Sequence, residues 1–215
     1  MSLSNWHGHG GVNWRLQDGG VEIEDTGIER TRGAPSTVTR VWEQFAPAIN
    51  EAAREHRMPC ELIVATICTE SAGNPKALRI EPGYESDEKT PHKVSPGLMQ
   101  TLISTAREAL QMSFDRDFLY EPRNSIRAGA AYMAQQKRKT GFDPPLVAAA
   151  YNAGGIYTQN GAKNRWKLRQ FPIGTGEHCD RFVKFYNDAV AVLAKHATRP
   201  AMSHADFLAD EQVFG

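Results

Sequence analysis

A helical period takes hold at Ser36 and persists almost to the C-terminus, and it constrains this chain more than any other feature. Val38, Val41 and Trp42, Phe45, Ile49, Ala52 and Ala53 recur every three to four residues, the spacing of one stripe of an amphipathic helix. Pro47 falls inside that stretch, so it must kink the helix or open a second one at its first turn. Pro59 starts a further helix, with Leu62, Ile63, Thr66 and Ile67 inside, running to Glu70 and broken by Gly73-Asn74-Pro75. Helix is expected again near Ser104–Met112. Asn124 is a good N-cap for another, which carries Ile126, Ala130 and Met133 and ends near Gly141. Asp143-Pro144 caps the next, Leu146–Asn152, which stops at Gly154-Gly155. The last runs from about Asp180 to His196 with Phe182, Phe185, Tyr186, Ala189, Val190 and Leu193 on one face, after a loop-like stretch over 160–176. The pattern predicts an all-α domain of about six helices.

Two segments break the period. Residues 1–35 are dense in glycine, contain one alternating run, Val21-Glu22-Ile23-Glu24, and read as an irregular arm with one short strand. Trp6 and Trp14 are its candidate anchors, and His7 and His9 read as ordinary loop residues. Residues 36–215 then form the domain itself. Within it, residues 76–94 make a long polar loop with clustered acids at Glu81, Glu85, Asp87 and Glu88. A loop of this length inside a compact domain tends to be functional or mobile.

Composition removes several function classes. Lys+Arg is 25 and Asp+Glu is 25, so nonspecific nucleic-acid binding has no electrostatic footing. The longest apolar run, Ala189–Ala194, is far too short to span a bilayer. Met1–Gly20 has no apolar core of the kind a secretory signal needs. Three cysteines, Cys60, Cys68 and Cys179, cannot all pair and read as buried thiols. A zinc site would have to recruit His56 with Cys60 and His178 with Cys179, and these lack the tight ligand pairs such sites use, so no metal is expected.

Glu70 stands at the end of an otherwise apolar run, Leu62-Ile63-Val64-Ala65-Thr66-Ile67-Cys68. It is either a solvated C-terminal residue or an acid whose surroundings keep its proton on. Both a helix C-terminus and apolar neighbours disfavour its charge and raise its pKa. A carboxyl group so tuned can protonate a leaving group near neutral pH.

The neighbouring sequence decides between these readings. Glu70-Ser71-Ala72-Gly73-Asn74-Pro75, Ser95-Pro96-Gly97-Leu98-Met99-Gln100 and Ala150-Tyr151-Asn152-Ala153-Gly154 resemble, in order, the three motifs of soluble lytic transglycosylases. Ser104-Thr105-Ala106 and Asn124…Gly129-Ala130-Ala131-Tyr132 fit the same pattern, and the resemblance spans roughly Phe45 to Leu193. It implies the mainly helical fold of goose-type lysozymes, an α+β lysozyme-like superfamily. It also implies Glu70 as general acid and then base, cleaving the bond between N-acetylmuramic acid and N-acetylglucosamine in peptidoglycan to leave a 1,6-anhydro sugar. The substrate supplies its own nucleophiles, so one enzymatic carboxylate suffices and no cofactor is implied.

The resemblance also implies substrate-binding roles for Ser71, Gly97, Met99, Gln100, Tyr151 and Asn152. Ser71 would hydrogen-bond the sugar or the acid, and Gly97 would let the chain pass close to the saccharide. Met99 would offer an adaptable apolar surface, Gln100 an amide for the N-acetyl group, and Tyr151 and Asn152 would orient Glu70 and substrate hydroxyls. Three departures stand out. Ile103 replaces a common proline, Phe182 replaces an aromatic that is often Tyr, and the acidic loop is unusually long. Goose-type lysozymes position a hydrolytic water with carboxylates in this part of the chain, so Asp87 or Glu88 is the candidate second carboxylate of a hydrolytic muramidase. A non-catalytic peptidoglycan-binding module is the third reading. Action on the cell wall with no visible secretory signal points to a phage enzyme or to an effector exported by a dedicated machine.

Overall fold

The computed structural model describes residues 2–214. Its N-terminal residues form an antiparallel sheet of β1 (His7–Gly8), β2 (Asn13–Gln17) and β3 (Gly20–Ile23), in that order. Trp14 pairs with Ile23 and Leu16 with Val21, and all four side chains are buried in the same apolar core as the helices. This corrects the expectation of an irregular arm with a single strand. Trp14 and Leu16 alternate with Asn13, Arg15 and Gln17, but the flanking glycines hide that two-residue period in the sequence. Trp14 is the buried anchor, whereas Trp6 remains partly exposed with the Arg15 guanidinium 4.4 Å from its ring centre.

The helices follow as α1 (Ser36–His56), α2 (Cys60–Ser71), α3 (Ile103–Leu110), α4 (Asp117–Tyr120), α5 (Pro122–Gln135), α6 (Lys137–Thr140), α7 (Pro144–Ala153), α8 (Glu177–Leu193) and α9 (His204–Phe214). Helix α1 runs through Pro47, which lies on its exposed face, where the lost backbone donor leaves the Glu43 carbonyl to water. Helix α2 is buried on every side from Cys60 to Thr69, as an element without a polar face must be, and packs between α1 and α8. Helix α5 begins at Pro122, with Glu121 before it, so Asn124 is not the N-cap but sits in the first turn. Proline at the first helical position supplies the start that Asn124 was expected to give. Helix α9 was not expected; it adds Phe207 and Leu208 to the core, and the Tyr186 hydroxyl meets His204 Nδ1 at 2.7 Å. No described helix is long and apolar enough to cross a membrane.

The long loop is bracketed by a short two-stranded sheet of β4 (Leu78–Ile80) and β5 (Val94–Pro96). Val94 of β5 joins Ile103, Ala106, Leu119 and Ala128 in a second, smaller apolar cluster, against which Tyr84, Phe114 and Phe118 pack. The N-terminal sheet is fastened to the helices through polar groups. Buried Asp143 accepts a hydrogen bond from Trp14 Nε1 and lies 2.9 Å from His7 Nε2, so His7 is a fastening residue rather than a plain loop residue. Asn187 of α8 accepts from the Val21 N–H at 2.7 Å and donates to the Val21 carbonyl at 3.1 Å. Arg165 pairs with Glu29 and Asp180. Cys60, Cys68 and Cys179 are buried free thiols.

Candidate active site

The αL residue Ala72 and then Gly73, both with positive φ, turn the chain out of α2 and leave Glu70 as the last carboxylate of a buried helix. There it faces a cleft of about 460 Å³. The walls come from Arg79, Glu81, His92 and Ser95 on one side, and from Tyr151, Asn152 and Phe171 on another. Gln100, Thr101, Thr105 and Tyr132 also line it. Glu70 keeps 18 % of its side-chain surface open, all that the cleft allows. Burial pushes its pKa up to about 7, against the opposing pull of the Arg181 and Arg79 charges.

Two loops hold the motif residues. After β5 the chain reverses at Gly97, whose φ of +84° lies in the left-handed region. A Cβ there would overlap the Leu119 carbonyl oxygen and press on Ser125 Oγ, so this glycine is required by contact with protein. Gly97 does not line the cleft, which differs from the expected approach to saccharide. Met99 is likewise fully buried, its side chain filling the space left by the missing Cβ of Gly129. Its backbone carries the contact with the site, because the Tyr151 hydroxyl donates to the Met99 carbonyl at 2.9 Å and accepts from Thr101 Oγ1 at 2.8 Å. Ser71 donates to the Leu98 carbonyl at 2.7 Å and ties the end of α2 to this loop, outside the cleft lining. Gln100 does line the cleft; its Nε2 donates to the Gly97 carbonyl at 2.9 Å. Its own φ of 47° is a left-handed strain of the kind that gathers at functional loops.

The structure thus brings Glu70, Gln100, Tyr151 and Asn152 together in one cleft and places Ser71, Gly97 and Met99 behind it as its frame. Asp87 and Glu88 do not line it. Arg116 holds Asp87 at 2.5 Å while Tyr84 donates to it at 2.7 Å, and these contacts depress its pKa, Arg116 first. Glu88 is exposed on the loop. The other acid at the cleft is Glu81, engaged by Arg79 at 2.7 Å.

Sequence reasoning weighed His178 only as a zinc ligand and missed its place beside Glu70. It lies in the first turn of α8 with its side chain 4 % exposed and its Nε2 3.6 Å from Glu70 Oε1. Burial and then the Arg181 charge lower its pKa to about 3, so the ring is neutral. Only the packing of α8 on α2 makes this pair adjacent, since the two residues are far apart in the chain. Phe182, one turn along α8, is buried in the core. No group of three or more metal-ligating side chains occurs among the described residues.

Comparison with known proteins agrees on the fold. The lytic transglycosylase Slt of Pseudomonas aeruginosa, solved as an inactive mutant, matches with a TM-score of 0.52 and 22% identity over 75% of this chain and 26% of its own. A 70-kDa soluble lytic transglycosylase in complex with bulgecin A matches with a TM-score of 0.50 and 20% identity over 77% of this chain and 27% of its own. The 70 kDa soluble lytic transglycosylase of Escherichia coli gives 0.48 and 20% identity over 77% and 27%. The chain therefore spans about a quarter of the length of these proteins. The family model described as the Transglycosylase SLT domain matches residues 47–171, more than half of the chain, and the protein belongs to that family.

Proposed function

We propose that this protein is a peptidoglycan lytic transglycosylase in which Glu70 acts first as general acid and then as general base. One observation carries the reading: at the floor of the cleft sits a carboxyl group whose burial keeps it protonated to about pH 7. Glu70 gives its proton to the glycosidic oxygen as the bond from the muramic anomeric carbon breaks and its electron pair passes to that oxygen. The substrate's N-acetyl group assists at the anomeric carbon. The muramic C6 hydroxyl then attacks that carbon and returns its proton to Glu70, giving the 1,6-anhydro product without consuming water.

The surroundings favour this route over hydrolysis. An inverting hydrolase needs a second carboxylate free to hold water. Asp87, the expected second carboxylate, is occupied by Arg116 and Tyr84 away from the cleft, and Glu81 at the cleft pairs through one oxygen with Arg79. Gln100 and Asn152 offer amides to the acetamido groups of the glycan strand, which is the substrate partner. Such a substrate places the site of action in the cell wall, in the periplasm or outside the cell.

The test is mass spectrometry of fragments released from purified peptidoglycan by the protein and by Glu70→Gln. Products lighter by one water than hydrolysis products, absent with the variant, are expected. Reducing-end muramic acid would make the enzyme a muramidase. Binding without cleavage by either protein would leave a wall-binding module.

A further inference from the structure

From the backbone N–H of Phe171 a chain of hydrogen bonds runs back to the catalytic acid. That N–H donates to Asn152 Oδ1 at 2.6 Å, and because a backbone amide can only donate, it settles which end of the Asn152 side chain is oxygen. Asn152 Nδ2 therefore faces His178 Nδ1, at 3.4 Å, and must be the donor there. A neutral imidazole that accepts at Nδ1 carries its proton on Nε2. Nε2 is buried, has no hydrogen-bond partner, and points at Glu70 Oε1 from 3.6 Å. A buried donor without a partner is costly and rare, and here it waits beside the atom that becomes negative when Glu70 gives up its proton. Catalytic hydrogen bonds are often long before substrate binds and tighten afterwards.

On this geometry we infer that His178 is the positioning residue of the site, an Nε2–H donor that catches the Glu70 carboxylate after proton transfer and leaves its other oxygen free for the substrate. The inference rests on Glu70 acting as the acid. His178 itself neither gains nor loses a proton in the cycle. Other groups reach Glu70 from the surrounding elements: Arg181 on α8 and Arg79 on β4 by charge, Tyr151 on α7, and Glu81 and His92 of the loop across the cleft. None of them is placed as a hydrogen-bond donor to Oε1.

Two measurements on the whole chain test this. First, nitrogen NMR of the His178 ring reports which nitrogen carries the proton. A proton on Nε2 alone from pH 5 to 8 is expected; a proton on Nδ1, or on both, overturns the proposal. Second, carbon NMR follows the titration of the Glu70 carboxyl, assigned by its absence in Glu70→Gln. Removing the donor in His178→Leu should raise the Glu70 pKa by about 1 unit, and His178→Gln, which restores an N–H, should bring it back. The basic limb of the kcat/KM profile should move with it. A Glu70 pKa unmoved in a folded His178→Leu overturns the proposal. Should that variant not fold, the ring-nitrogen measurement on the native protein still decides. Retained lysis by Glu70→Gln would defeat the functional reading separately, since neither NMR measurement depends on turnover.

Discussion

The hydroxyl of Tyr151 donates to the backbone carbonyl of Met99 at 2.9 Å, joining the end of α7 to the loop that carries Gln100. The same oxygen accepts from Thr101 Oγ1 at 2.8 Å, so one phenol holds both flanks of Gln100 in place. Tyr151→Phe leaves the Met99 carbonyl unpaired. It should cost about 1–2 kcal/mol of stability and lower kcat/KM by roughly tenfold through a looser loop. Thermal unfolding and steady-state lysis of purified wall material check both.

Activity should depend on the protonated form of Glu70. With a pKa of about 7, kcat/KM for peptidoglycan should be flat in mild acid and fall as pH rises through 7. A pH–rate profile with no basic limb between pH 6 and 8 would contradict this assignment.

The same raised pKa has a consequence for stability. Folding lifts Glu70 from its ordinary value of 4.5 to about 7, so the folded state holds the proton more tightly. Its contribution is fully present below about pH 4.5 and is lost as pH rises through 7. Glu70→Gln, which cannot ionise, should gain about 2 kcal/mol relative to the native protein between pH 5 and 8. Urea unfolding of both proteins across that range measures the difference, with buried Glu61 adding an identical background to each.

Gly97→Ala should be damaging although the residue does not line the cleft. Its positive φ and the overlap of any Cβ with the Leu119 carbonyl force the loop to move. A loss of about 2–4 kcal/mol is expected, together with lost activity. Gly141, whose φ is also positive but whose Cβ position is open, provides the control: Gly141→Ala should cost only about 1 kcal/mol.

His7 fastens β1 to Asp143 in a pH-dependent way. Burial opposes a charge on His7, but the Asp143 carboxylate outweighs it and the net shift is upward from 6.5. The contribution is therefore whole below pH 6.5 and disappears as pH rises through the raised value. His7→Ala should lower Tm more at pH 5.5 than at pH 9, and a pH-independent loss would refute the ionic component.

The cleft was legible in the sequence through three ordered motifs that resemble those of soluble lytic transglycosylases. Glu70, Gln100, Tyr151 and Asn152 sit in ordered motifs at helix ends and turns, and the structure gathers them. Gly97 and Met99 were legible as positions, whereas their contacts were not: the close neighbours are Leu119 and Gly129, which no local spacing announces. Strand β2 was hidden because the glycines on either side dilute its alternation. His178 was hidden for a stronger reason. Its meaning comes from α8 lying on α2, a tertiary relationship between segments more than a hundred residues apart. Asp87 looked like a free acid because its partners, Arg116 and Tyr84, are set by how the small apolar cluster folds.

The bond pair between Asn187 and Val21 does more than fasten a sheet to a helix. Strand β3 is the last strand of its sheet, and its outer side presents backbone donors and acceptors of the sort that recruit a strand from another molecule. The Asn187 amide occupies the N–H and the carbonyl of Val21 together, as one residue of a neighbouring strand would. Gly27 does the same for Ile23, its backbone accepting from the Ile23 N–H and donating to the Ile23 carbonyl, so the outward groups of both residues on this edge are filled from within the chain.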